Sequence, residues 1–205
     1  MTARHKLNTV IIGGGQAGLS LSYYLTQTGR EHAVLEKDRP AESWRSRKWD
    51  SFTLVTPNRQ MQLPDFEYKG EHPEGFMPRN QVVEYIDNFT SQFDPPLHLG
   101  VEAKSIEKQD DGFHIDTSAG ELQADNVVVA TGTFQKPKIP AYSQNTYPSI
   151  NQLHSSQYRN PDRLPPGAVL VVGSGQSGCQ IAEELNQSGR DVYLSTGKAV
   201  RVPRR

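Results

Sequence analysis

A chain of 205 residues, 35% hydrophobic and 22% charged, has the make-up of a globular domain or two small ones. With 22 basic against 23 acidic residues, the net charge of -1 gives no electrostatic reason to expect nucleic acid or an anionic membrane as partner. One cysteine, Cys179, leaves these residues without a disulfide or a Cys-x-x-Cys redox pair, and its setting in a helical segment predicts a small buried residue.

The polar N-terminus leads into Thr9–Ile12, a β-branched run that reads as a buried parallel strand and is far too short for a signal peptide or membrane span. A cytoplasmic location is the default expectation. The run enters Gly13-Gly14-Gly15-Gln16-Ala17-Gly18, a Gly-x-Gly-x-x-Gly loop followed by a helical segment that closes at Gly29. In such a loop the first glycine makes the turn and the second admits a pyrophosphate. The third lets helix pack on strand, and the helix N-terminus offers free N–H groups to phosphate. His32–Leu35 reads as the second strand. It ends in Glu36, 18 residues after Gly18, where a carboxylate accepts hydrogen bonds from an adenosine ribose; the bland alternative is a solvated surface Glu. Strand, loop, helix, strand and acid together predict an adenine-dinucleotide site, with Lys37 beside it.

Glu42–Trp49 reads as a basic, aromatic loop on the cofactor face. Trp44 and Arg45 there either meet phosphate or a planar ring, or form a stacked and salt-bridged surface. Phe52–Phe66 is read as irregular pocket structure. Residues 81–93 are expected to form an amphipathic helix with Val82, Val83, Ile86 and Phe89 inward and Asn80 as N-cap. Leu97–Leu99 with Val101 suggests a third parallel strand. Ser105–Lys108, Phe113–Thr117 and Glu121–Ala124 form a three-stranded meander. Asn126–Ala130 is read as a further buried strand ending at Thr131-Gly132.

Residues 141–165 look like a linker, and Val169–Val172 then opens a second loop, Gly173-Ser174-Gly175-Gln176-Ser177-Gly178. A shift of 160 residues aligns the two motifs without gaps, pairing Leu25, Gln27, Gly29 and Arg30 with the identical Leu185, Gln187, Gly189 and Arg190. Glu36 falls on Thr196. The second unit therefore lacks the carboxylate that would repel a 2′-phosphate, and offers Ser195, Thr196, Lys198 and Arg201; a plain polar loop is the alternative. That contrast predicts FAD in the first unit and NADPH in the second. The expected fold is α/β, two Rossmann-like βαβ units, the first with the meander inserted and the second incomplete. The expected domains are 1–140 for FAD, 141–165 as linker and 166–205 as the start of the NADPH domain.

The two glycine motifs, Ala130-Thr131-Gly132 followed by Pro137 and Pro140, and His154-x-x-x-Tyr158 occur in an order that resembles the class B flavin monooxygenases. The Trp44-Arg45 loop and Leu63-Pro64 are similar to the bacterial branch labelled as potassium-transport flavoproteins. Two features depart from that pattern. Pro148 and Ile150 stand where the family carries Phe-x-Gly before the histidine, and Asn58 aligns with an active-site asparagine only across a gap. The resemblance implies a monooxygenase that uses FAD, NADPH and O₂ to oxygenate a nitrogen, sulfur or carbonyl centre of a small molecule through a flavin hydroperoxide. It also implies a chain that continues beyond residue 205, and it allows a homodimer. No metal site or side-chain acid or base is expected. His154 either links the domains or serves the linker locally. The alternatives are an NADPH-dependent reductase of an electron carrier and a non-catalytic fragment.

Overall fold

The computed structural model describes residues 6–197, which divide into two compact units. The first holds the described residues up to Ser46 together with Thr56–Lys136. The second holds Arg47–Val55 and the described residues from Pro137 onward.

In the first unit β1 (Leu7–Ile12) runs into α1 (Gln16–Gln27) and returns as β2 (His32–Glu36). Val10 and Ile11 are fully buried, as the β-branched run predicts. Gly29, with φ of 63°, closes the helix in the left-handed conformation that favours glycine. Next come a short α2 (Glu42–Ser46), the small antiparallel pair β3 (Gln62–Leu63) and β4 (Phe66–Glu67), and α3 (Arg79–Ser91). The remaining strands are β5 (Leu97–Leu99), β6 (Ala103–Gln109), β7 (Gly112–Thr117) and β8 (Gly120–Val129). They complete a six-stranded sheet in the order β5-β2-β1-β8-β7-β6.

Three expectations need correction. The third meander strand and the buried strand after it are one element: β8 pairs antiparallel with β7 over residues 120–124 and parallel with β1 over residues 124–129. Its end is not a buried run, since Val129 is 64% exposed. The amphipathic helix begins at Arg79 with Pro78 as its N-cap residue, so Asn80 lies inside the first turn. Tyr85, not Val83, joins Val82, Ile86 and Phe89 on the buried face. Proline's fixed φ and missing N–H suit a helix start and set the boundary earlier. Glu42–Ser46 is a turn of helix, not a loop.

Packing in the first unit includes a buried cluster and a partly exposed aromatic group around Phe89. Val10, Ile12, Leu35, Ile115 and Ala124 form one, with Val101 packed against it. Phe89 stacks at a tilt with Tyr23, Phe66 and Phe93 in the other. Under α1, Ser22 is fully buried beside His32, with Oγ and Nε2 2.8 Å apart. His32 Nδ1 lies 2.9 Å from the Arg30 carbonyl and can only donate to it, so Nε2 accepts from the Ser22 hydroxyl. Ser22→Ala leaves that nitrogen buried without a donor. It is expected to cost about 1–2 kcal/mol in a denaturant melt, while Ser22→Thr retains the hydroxyl and costs less.

The second unit contains β9 (Val169–Val172), α4 (Gln176–Gln187) and β10 (Val192–Ser195), a parallel βαβ. Leu185 and Ile181 are the buried face of α4. Cys179 is exposed, contrary to the expectation of a buried residue, because it lies off that face; its Sγ is 3.4 Å from the Ser174 carbonyl oxygen. The far side of the strand pair is open, with Leu170 63%, Val172 59% and Tyr193 64% exposed. Within the linker, Tyr158 is buried and its hydroxyl donates to Glu184 Oε2 at 2.6 Å. Arg190 donates to the carbonyls of Pro161 and Leu164 at 2.8 and 2.9 Å, tying the linker to the end of α4.

Candidate functional site

The first site is built where β1, β2 and β8 end together. Gly13 turns the chain at φ of 113°, and a Cβ there would lie 2.5 Å from the Ala130 carbonyl oxygen, so the backbone beyond the neighbouring β8 and the sign of φ both demand glycine. A Cβ on Gly18 would overlap the Gly13 carbonyl oxygen, which is how closely the helix rests on its own loop. Gly15 differs. It has φ of -90° and nothing within 4 Å of a built Cβ, so the fold leaves it no neighbour and the space in front of it is free. Gln16, Ala17 and Gly18 follow as the first turn of α1, whose N–H groups have no intrahelical acceptor; the first such bond runs from Leu19 back to Gly15 at 2.9 Å. An oxyanion on the open side of Gly15 meets those donors and the positive end of the helix.

Glu36 stands at the end of β2 with its carboxylate turned onto this loop. Oε2 accepts the Gly14 N–H at 2.7 Å and Oε1 accepts the Asp38 N–H at 2.9 Å. Each oxygen keeps a lone pair for an incoming hydroxyl. Val101 donates its N–H to the Glu36 carbonyl at 3.1 Å and stands beside the acid. Ala130 donates to the Ile12 carbonyl at 2.8 Å. Thr131 and Gly132 continue past it, Gly132 with φ of 78°. Lys37 is exposed one residue after Glu36.

Arg45 is committed elsewhere. Its guanidinium donates to Asp87 at 2.6 Å and to the Pro40 carbonyl at 3.0 Å, bracing α2 against α3. Trp44 lies on the same turn. Sequence reading missed Asp87 as the partner because 42 residues and no motif separate it from Arg45. His154 serves its own turn: its Nδ1 accepts the Ser156 N–H at 3.2 Å, and Gln157 Oε1 accepts the His154 N–H at 3.0 Å. Asn58 is buried, donating to the His72 carbonyl at 2.9 Å.

The second site repeats the loop-and-helix frame of the first. Gly173 donates to the Ser195 carbonyl at 2.9 Å as Gly13 does to Leu35 at 2.8 Å. A Cβ on Gly178 would overlap the Gly173 oxygen, and Gly175 has open space in front of it. Gln176 and Ser177 open α4 and Ser174 replaces Gly14. Ser195 ends β10 and the exposed Thr196 follows, with no carboxylate at that place. Lys198 and Arg201 lie outside the described residues. Among the described residues, no group of three or more His, Cys, Asp or Glu could hold a metal ion, and no helix is long and apolar enough to cross a membrane.

Two loops of this form, each on a parallel βαβ, define an oxidoreductase-type fold with two dinucleotide cradles. The chain belongs to the pyridine nucleotide-disulphide oxidoreductase family, whose model matches residues 10–204. It is 41% identical over 195 residues to an uncharacterized CzcO-like oxidoreductase of Geobacillus kaustophilus, covering 95% of this chain and 55% of that one. To the CzcO oxidoreductase of Bacillus subtilis it is 42% identical over 198 residues, covering 96% and 56%. A flavin-containing monooxygenase from Stenotrophomonas maltophilia superposes with a TM-score of 0.85 at 25% identity, covering 95% of this chain and 58% of that one. The chain thus spans little more than half the length of the relatives it matches. The resemblance to flavin monooxygenases read from the motifs is matched by that structural neighbour, and the α/β, Rossmann-like fold is as expected.

Proposed function

We propose that this chain takes FAD in its first unit and NADPH in its second, and that it serves a monooxygenase placing one atom of O₂ on a nitrogen, sulfur or carbonyl centre of a small organic substrate. The observation that carries the reading is a contrast between two cradles of the same loop-and-helix frame: Glu36 ends β2 in one and Thr196 follows β10 in the other. A carboxylate suits the free 2′-OH of FAD; hydroxyls without a carboxylate suit a 2′-phosphate. Support also comes from the similarity to a flavin-containing monooxygenase at a TM-score of 0.85.

Bound FAD supplies the electron storage and reactivity toward O₂ that no side chain here has. The chain's own residues position. Gly15 and the α1 N-terminus would hold the pyrophosphate, Glu36 the ribose hydroxyls, and Ala130-Thr131-Gly132 the edge of the cradle. In the second unit Gly175 and α4 would hold the NADPH pyrophosphate, with Ser195 and Thr196 at the 2′-phosphate. Lys37, Val101 and Trp44 belong to the first cradle's surroundings in this reading, and Arg45 shapes α2 through Asp87. A small-molecule substrate is the expected partner, and a homodimer is compatible with it.

Glu36→Gln removes one acceptor and the charge, and is expected to weaken FAD binding about tenfold in a fluorescence-quenching titration. The function itself is tested by NADPH consumption under ¹⁸O₂ with candidate amines, sulfides and ketones. Label in the product supports oxygenation. NADPH consumed with electrons passed to a carrier and no labelled product would make the protein a reductase instead.

A further inference from the structure

Two peptide groups lie in line between Arg45 and the first glycine loop. The Arg45 Nε–H donates to the Pro40 carbonyl at 3.0 Å. On the other edge of that same peptide group, the Ala41 N–H donates to the Gly14 carbonyl at 3.3 Å. The next peptide group in line joins Gly14 to Gly15. Both bonds are trans, and in a planar trans peptide the C=O and the N–H point opposite ways. The Gly15 N–H therefore points away from Ala41, and no acceptor among the described residues takes it. The line runs guanidinium, peptide, peptide, free N–H, with every donor facing the same way.

The segment carrying this line is held against its own preference. Ala41 is buried with φ of 57°, in the left-handed region that disfavours a residue with a Cβ. Its carbonyl accepts the Trp44 N–H at 2.9 Å and opens α2, and Asp87 of α3 grips the Arg45 guanidinium at 2.6 Å. From the opposite side Glu36 Oε2 accepts the Gly14 N–H at 2.7 Å. Residue 14 is thus held at both of its backbone groups, which fixes the direction of the Gly15 N–H before any ligand arrives.

We propose that Arg45 acts on a diphosphate in the first cradle through these two peptide groups, without touching it. The cation polarises the Pro40–Ala41 peptide, and that peptide polarises the Gly14–Gly15 peptide. The Gly15 N–H becomes a stronger and better aimed donor toward an anion. Asp87 keeps the guanidinium on the Pro40 carbonyl. Arg45 and Asp87 are therefore positioning residues for the pyrophosphate, although both lie outside the glycine motif. The inference rests on the reading of the first unit as the FAD unit.

The test compares the full chain with Arg45→Met in two readouts. The first is the ¹H–¹⁵N NMR spectrum without ligand, in which the Gly15 and Ala41 amides are identified by their absence from Gly15→Ala and Ala41→Gly. Both amide protons are expected to move upfield together in Arg45→Met, because each loses polarisation from the cation. The second readout titrates ADP and adenosine as competitors of bound FAD. Arg45→Met is expected to weaken ADP about fivefold and to leave adenosine within about twofold. A Gly15 amide that stays in place overturns the relay even where ADP weakens, because direct contact with phosphate then accounts for Arg45. Unchanged ADP affinity, or equal losses for ADP and adenosine, overturns it as well. A folded parent that binds no FAD refutes the FAD reading instead, and the ligand-free shifts then decide the relay. Should Arg45→Met not fold, Arg45→Gln removes the charge with less loss of packing and is read by the same two measurements.

Discussion

Gly18→Ala is expected to unfold the first unit or lower its stability by about 3 kcal/mol, and to abolish FAD binding with it. On helix propensity alone the change is favourable, by about 1 kcal/mol in a helix interior. Sterics decide the sign. The added Cβ overlaps the Gly13 carbonyl oxygen and presses on Ile11 Cγ2 at 3.3 Å, and neither can give way, one being backbone in a tight turn and the other fully buried. Gly15→Ala is the informative control. Its φ of -90° suits alanine and nothing lies within 4 Å of the new carbon, so the melt should change by about 1 kcal/mol or less. The open space in front of it is where the pyrophosphate is proposed to sit, so FAD affinity should still fall about a hundredfold, some 3 kcal/mol. Thermal melts and FAD titrations on the two variants separate a glycine needed by the fold from one needed by the ligand.

Tyr158→Phe is expected to cost about 2 kcal/mol in the second unit, the worth of a hydrogen bond to a charged group whose partner is left behind. Tyr158 is 3% exposed, and its hydroxyl is the donor that joins the linker to Glu184 of α4. Burial, and then the hydrogen bond to the Glu184 carboxylate, push the phenol well above the ordinary tyrosine range. The folded state thus holds the Tyr158 proton more tightly than the unfolded chain does. That stabilisation is complete below the unfolded value near 10 and is lost progressively as pH rises above it. Urea melts between pH 8 and 11 should show the parent losing stability at the alkaline end. The parent-minus-Tyr158→Phe difference should shrink there, because phenylalanine has no proton to lose. A difference that stays constant across that range would mean that folding does not raise the Tyr158 phenol above its unfolded value.

The parts of the fold legible in the sequence were those that glycine geometry dictates. Gly13, Gly15 and Gly18 between a β-branched run and a helical segment leave one arrangement open. Accordingly, β1, α1 and β2 fall where the motif puts them, and the 160-residue repeat carries the same frame to β9, α4 and β10. The rest depends on contacts far apart in sequence. β8 reads as two strands because it changes partners at Ala124, antiparallel to β7 before and parallel to β1 after, and its pattern of exposure changes with them. Cys179 looks buried by residue type, but the face of α4 is chosen by Ile181 and Leu185. In the site, Glu36 was visible by spacing, whereas its bond to Gly14 was not, because only the folded loop brings them together. For Arg45 the sequence left a phosphate contact and a surface salt bridge both open, and its ion-pair partner became visible only when α3 supplied Asp87.

The central claim is that the first cradle holds FAD through its glycine loop and Glu36. The direct measurement is an equilibrium titration of FAD fluorescence with the purified 205-residue chain, beside the Gly15→Ala and Glu36→Gln variants. The account predicts saturable quenching by the parent, about a hundredfold weaker with Gly15→Ala and about tenfold weaker with Glu36→Gln. Quenching that is equal in all three, or absent from a folded parent, would contradict it.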